Sequence, residues 1–286
     1  MLKKIIHFPL TKIVIGFFVV GIVYGVSQNA LDYVLNLTAI TKDYKNLITG
    51  IISSILAIFA YSILYKYYEK RTIDEFSTLY IVKDLTYGIS LGAILQSLTI
   101  LTIFVLGVYK IESVNSLYSL IPALTIGFTS AIFEEILLRG IVFRITEEKL
   151  GSYIALLISA LFFGVMHLGN PNSSLIAASG IAIQAGLLLG VAYMFTRNLW
   201  FPIAIHFAWN FTQAGIYGAS VSGHEIERSL FTSKIEGVEW LTGGTFGPEG
   251  SIQATIFCVI AMVFLLHVSH KKGNVILPYW KKNTNS

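Results

Sequence analysis

The sequence predicts an all-α, polytopic membrane protein, and three observations carry that prediction. Of its 286 residues 55% are hydrophobic and only 13% charged, with a mean hydropathy of +0.70, whereas soluble domains carry about 25% charged residues. The apolar residues gather into eight runs of spanning character, near 13–31, 47–65, 85–109, 118–138, 153–168, 175–196, 200–217 and 251–269. The twenty Lys and Arg divide unevenly: Lys42, Lys45, Lys110, Arg228 and Lys234 fall on one side of these runs, and the other fifteen on the opposite side. The positive-inside rule then puts both termini in the cytoplasm. The net charge of +4 follows from that topology, and no nucleic-acid partner is needed to explain it.

The first run follows Lys3 and Lys4 and is too long for a signal-peptide core, with no convincing A-x-A cleavage site, so it reads as an uncleaved helix. Runs two and three flank YYEKRTIDEFSTLYIVKD (67–84), where mixed charge and apolar residues suit the cytoplasmic interface. Runs 153–168 and 200–217 are short for a bilayer and carry polar residues, which is tolerated where protein or a wet cavity covers the backbone. The segment 218–250 ends in WLTGGTFGPEGS, whose glycines and Pro248 predict a turn-rich extracytoplasmic loop or lid. The last run holds the single Cys258, which excludes an internal disulfide and reads as a small core residue. No repeat or linker divides residues 1–286, so they read as one membrane domain: scaffold helices over 1–117, chemistry over 118–217, the loop, then a last helix and basic tail over 251–286.

Ionisable groups are costly inside a membrane and usually mark function there. The four aspartates and ten of the twelve glutamates sit at span ends or in loops, which leaves Glu134 and Glu135, within AIFEEILLRG, as the deep carboxylates. By the same sorting His167 and His206 are the deep imidazoles. Glu135 and Arg139 are four residues apart on one helical face and form a natural pair, while Glu134 points about 100° away and is free for other work. In ALFFGVMH, Phe163 and His167 share a face. A lone histidine there is more often a satisfied core residue, but the turn at Lys149–Ser152 is centred between positions 134 and 167, so an antiparallel hairpin puts Glu134 and His167 at one depth. In PIAIHFAWNFTQ, His206 and Asn210 share a face behind Pro202; alone they would read as an interhelical hydrogen bond.

Depth constrains the arrangement. Glu134 and His167 lie roughly 25 Å from their turn, at 1.5 Å per residue, and His206 and Asn210 about 12–18 Å from theirs. The two agree if the first hairpin, with Arg144, Glu147, Glu148 and Lys149, projects beyond the bilayer. The site is then expected part-way down from the cytoplasm, with LGNPNSS lining a hydrated funnel.

A carboxylate, two imidazoles and an amide in a wet cavity suit hydrolysis of an amide. Glu134 would take a proton from water, His167 would orient that water, and His206 and Asn210 would donate to the oxyanion. No G-x-S-x-G elbow, aspartate dyad or H-E-x-x-H helix competes. Glu134, His167 and His206 could nevertheless hold zinc with an open position, as the lesser alternative that the residues leave open.

Three motifs, EEILLRG, FGVMH and HFAWN, follow one another on separate spans. Together they resemble E-E-x-x-x-R, F-x-x-x-H and H-x-x-x-N of the CAAX-protease and bacteriocin-processing intramembrane endopeptidases, also called abortive-infection proteins. The resemblance runs over about 118–255, and WLTGGTFGPEGS looks like the loop before the last helix of bacterial members. It implies an eight-span helical fold, Glu134 as the base with His167 its partner, His206 and Asn210 at the oxyanion, and Glu135, Arg139 and Phe163 in support. The substrate implied is a membrane-associated, lipidated or amphipathic peptide, and the compact chain looks bacterial. A non-proteolytic immunity or scaffold protein is the rival reading, and a proton-coupled transporter the weaker one, because no internal two-fold repeat is present.

Overall fold

The computed structural model describes residues 6–282. Lys3 and Lys4, and the side chain of Lys282, all in the positive-inside count, lie outside the described residues. Among the described residues the regular structure is helical apart from one two-stranded sheet. Its helices are α1 (Pro9–Asn36), α2 (Lys42–Tyr68), α3 (Ile81–Val105), α4 (Leu117–Leu150), α5 (Ser152–His167), α6 (Leu175–Thr196), α7 (Trp200–Asn210, continued in π-helical form by Phe211–Ile216) and α8 (Ile252–Lys271). Among the described residues α1, α2, α3, α4, α6 and α8 are long and apolar enough to cross a membrane; α5 is apolar but shorter.

Most of these helices start and stop where local chemistry requires. Pro9 opens α1, where its missing N–H costs nothing. Ser174 caps α6 by accepting from the Ala177 amide, and Ser251 does the same for α8 with Ala254. Gly151, at φ +79°, ends α4 and turns the chain into α5.

Small residues then set which helices touch. Gly88 and Gly92 are one turn apart on α3 and press against Ala204, Ile205 and Ala208 of α7, the close approach that small residues permit between membrane helices. Gly186 of α6 seats on Ala160 of α5, and Gly164 of α5 on Ala178 and Ala182 of α6. The result is a core of α4, α5, α6 and α7, with α1 and α2 against α4 and α8 against α6.

Three features depart from expectation. The predicted run 85–109 ends as helix at Val105; after Gly107, at φ +74°, the chain becomes β1 (Tyr109–Val114). It pairs antiparallel with β2 (Phe231–Ile235), so the loop 218–250 carries a strand. No local pattern foretells that pairing, because the partner strand is over a hundred residues away. Second, the predicted span 118–138 continues unbroken to Leu150 as α4. Its buried charges are paired: Arg144 binds Glu69 at 2.8 Å and the exposed Glu148 at 2.8 Å, and Arg197 of the α6–α7 turn binds Glu147 at 2.5 Å.

Third, α4 and α6 each contain a π-helical stretch, Ile136–Phe143 and Ala182–Leu187. Such wider turns free backbone groups and recur at functional sites.

Candidate active site

Glu134 and Glu135 lie midway along α4, where the α-helical part gives way to the π-helical stretch. The two adjacent carboxylates face different neighbours. Glu135 is fully buried with Arg139, its Oε1 accepting from Arg139 Nη1 at 2.7 Å. The guanidinium also donates to the Ala185 and Gly186 carbonyls at 2.7 and 3.0 Å, so the π-helical stretches of α4 and α6 meet at Arg139. Phe163 lies beneath it, with the guanidinium carbon 5.0 Å from the ring centre.

The same Glu135 Oε1 accepts from His206 Nδ1 at 3.1 Å, a bond the sequence did not announce. A carboxylate can only accept here, so Nδ1 carries the proton and Nε2 is turned outward. Glu134 Oε2 lies 4.0 Å from that Nε2 and has no hydrogen-bond partner of its own. His167 is held similarly: its Nδ1 donates to the Phe163 carbonyl at 2.8 Å, and its ring stacks on Phe163 at 4.5 Å. Asn210 Nδ2 donates to Ser130 Oγ at 3.3 Å. Ser130 is a further residue of the site, legible only as the position one turn before Glu134.

Glu134, His167, His206 and Asn210 line one cavity of about 570 Å³. The expected hairpin of α4 and α5 thus delivers Glu134 and His167 to a common space. That cavity reaches Lys42, Asn170, His224, Glu225 and Glu227, at the end of the bundle carrying the loop 218–250. At the opposite end, beside the α4–α5 turn, Glu69, Arg71, Glu75 and Arg144 form an ion-pair network, and Glu147 pairs with Arg197. From LGNPNSS, Asn170 lines the cavity. Arg228 crosses to Asp43 at the cavity mouth at 2.6 and 2.5 Å.

Behind the histidines lies a smaller cavity of about 40 Å³, sharing His167, His206, Asn210 and Ser222 with the first. Its wall includes Glu249, only 2% exposed. The sequence left Glu134 and Glu135 as the deep carboxylates, and Glu249 is a further buried one, because the loop folds back and covers it. Burial pushes the Glu249 carboxyl above its ordinary value, against the Ser222 and Trp209 donors that pull it down.

The donor chemistry suits a zinc ion in part. Both imidazoles spend Nδ1 on an acceptor and keep Nε2 free, and a carboxylate behind a ligating histidine is a frequent second partner. Among the described residues, however, no three His, Cys, Asp or Glu side chains are grouped closely enough to hold a metal.

Residues 116–212 match a family model described as "Type II CAAX prenyl endopeptidase Rce1-like". This part of the chain is similar to the Rce1-like family. The Rce1-like segment takes in Glu134, Glu135, Arg139, Phe163, His167, His206 and Asn210 and ends before Ser222 and Glu249. The expected resemblance reached further, to about 255. No curated protein and no solved structure matches the chain.

Proposed function

We propose that the protein is an intramembrane endopeptidase that hydrolyses a peptide bond in a membrane-associated or amphipathic peptide, of the CAAX-type or bacteriocin-processing kind. The observation carrying this reading is the shared cavity, in which an unpartnered Glu134 Oε2 faces His206 Nε2 at 4.0 Å beside His167 and Asn210. The Rce1-like match supports the same class of reaction.

In this reading Glu134 is the general base, taking a proton from a water that attacks the scissile carbonyl. His167, fixed by Phe163, orients that water. Asn210 Nδ2 donates to the developing oxyanion, and His206 joins it from Nε2 when the ring carries both protons. Glu135 and Arg139 support by holding the His206 ring in place. Residues 1–286 act as a single membrane unit, with 118–217 carrying the chemistry and both termini cytoplasmic in a bacterial membrane. The cavity then opens on the extracytoplasmic side, and the substrate reaches it from the outer leaflet, lipidated or not.

The decisive experiment reconstitutes the full chain in liposomes with an internally quenched library of amphipathic peptides. The wild type cleaves and Glu134→Ala does not, at equal thermal stability. Cleavage retained by Glu134→Ala overturns the assignment. Protection from a bacteriocin that survives loss of both Glu134 and His167 points instead to the immunity or scaffold role, and proton-dependent uptake to the transporter.

A second reading is a zinc-dependent peptidase, favoured by the outward Nε2 atoms of His167 and His206 beside Glu134 Oε2. Those three residues would have to draw closer than they stand here to hold the ion, which would supply Lewis-acid polarisation of the carbonyl. Metal analysis of the purified protein decides it: stoichiometric zinc that falls in His206→Ala supports this reading, and zinc-free protein with full cleavage removes it.

A further inference from the structure

Outside the Rce1-like segment, one buried charged group touches the wall of the site. Glu249 Oε1 accepts from both the amide and the hydroxyl of Ser222, the latter at 2.9 Å, and Oε2 accepts from the Trp209 indole at 3.3 Å. Trp209 precedes Asn210 on α7, and Ser222 lines both the large cavity and the small one behind it.

Ser222 is itself unusual. It has φ +49° and is followed by Gly223 at φ +82°, with Val221 and His224 exchanging both backbone hydrogen bonds at 3.0 and 2.9 Å. That is a tight turn with both central residues left-handed, a strained conformation that a serine keeps only where its surroundings over-determine it. They do so on every side. Asn170 donates to the Ser222 carbonyl at 3.0 Å and Asn172 to the Gly223 carbonyl at 3.1 Å. The Gly223 amide donates to Phe246 at 2.8 Å, and a side chain at Gly223 would strike the Pro171 carbonyl. The left-handed Gly243, Gly244 and Gly247 fold WLTGGTFGPEGS under this turn, which is what carries Glu249 into the interior.

We infer that Glu249 is a positioning residue of the peptidase site: by fixing the Ser222–Gly223 turn and the Trp209 indole together, it sets the wall that holds a peptide against His206 and Asn210. The inference rests on the proposed endopeptidase reading for its functional half. Its physical half is that a carboxylate alone satisfies three donors from two directions. An amide at 249 would turn an N–H against either the indole or the Ser222 amide, leaving a donor unpaired in a buried place.

The test uses full chain in liposomes, the quenched peptide library, and a spin-label pair at Asn46→Cys and His224→Cys across the cavity mouth, since Cys258 is buried and escapes labelling. Glu249→Gln is expected to raise KM roughly tenfold with a smaller change in kcat, the signature of lost binding geometry, and to broaden the 46–224 distance distribution at an unchanged melting temperature. Adding Trp209→Phe removes the donor that faces the new amide, and is expected to narrow the distribution again. Glu134→Ala is expected to abolish cleavage and leave the distribution narrow, which separates the two claims. If the wild type cleaves nothing, the peptidase reading falls and the spin-label distances alone decide whether Glu249 fixes the turn. A Glu249→Gln protein with wild-type KM, or with a narrow wild-type distribution, overturns the inference.

Discussion

Glu135 and His206 lie 71 positions apart in the chain and share a hydrogen bond of 3.1 Å, with the same carboxylate oxygen also holding Arg139 at 2.7 Å. One buried oxygen therefore ties the i, i+4 pair of α4 to the imidazole of α7. The clamp and the proposed oxyanion donor are one unit, and that unit can be broken in ways that separate stability from activity.

Arg139→Ala removes the partner of Glu135 and of the Ala185 and Gly186 carbonyls. Stranding a fully buried carboxylate in this way is expected to cost about 3–5 kcal/mol. Replacing both Glu135 and Arg139 with methionine recovers much of that loss, because the buried charges disappear together. Activity stays lost, since His206 has no anchor. Thermal melts and peptide cleavage on the same preparations check both halves.

Asn210→Ala is expected to lower kcat by about 10²–10³ with little change in KM, the usual effect of losing one oxyanion donor. Steady-state cleavage in liposomes measures it. A loss confined to KM would place Asn210 in substrate binding instead.

Gly92→Val tests how the site is positioned from a distance. A side chain there meets the Ile205 carbonyl, one residue before His206. Overpacking of this sort typically costs 1–3 kcal/mol, and here it also pushes α7 away from α3. Lower melting temperature together with weakened cleavage is expected, whereas Gly21→Val on α1, which meets open space, leaves cleavage unchanged.

Acid stability should report the ion-paired end of the bundle. Burial raises the Glu69 carboxyl, but Arg144 at 2.8 Å, Lys12 at 2.9 Å and Arg71 at 2.9 Å outweigh it and hold the group below its ordinary 4.5. A carboxyl lowered on folding adds stability that is present above the unfolded value and lost as pH falls through the folded one. The wild type is therefore expected to melt progressively lower below about pH 4.5. Glu69→Gln melts lower than wild type at neutral pH and shows a flatter acid profile; parallel profiles would show that Glu69 is not the group responsible.

The sequence on its own determined what local patterns control. Long apolar runs fixed the class of fold, because hydrocarbon tolerates little else. Spacing of four placed Arg139 beside Glu135, and a turn centred between 134 and 167 brought Glu134 and His167 to one cavity. Tertiary structure decided the rest, for reasons of distance. The partners of Arg144 and Glu147 could not be read because Glu69 and Arg197 lie far off in the chain, and β1 was unreadable because β2 is distant too. Nothing in the local pattern of WLTGGTFGPEGS shows that its left-handed glycines turn Glu249 inward beneath Ser222. Likewise, only the packing of α7 against α4 could show that Glu135, rather than Glu134, holds the His206 ring, because a helix fixes the direction of its own side chains and not what a neighbouring helix sets against them.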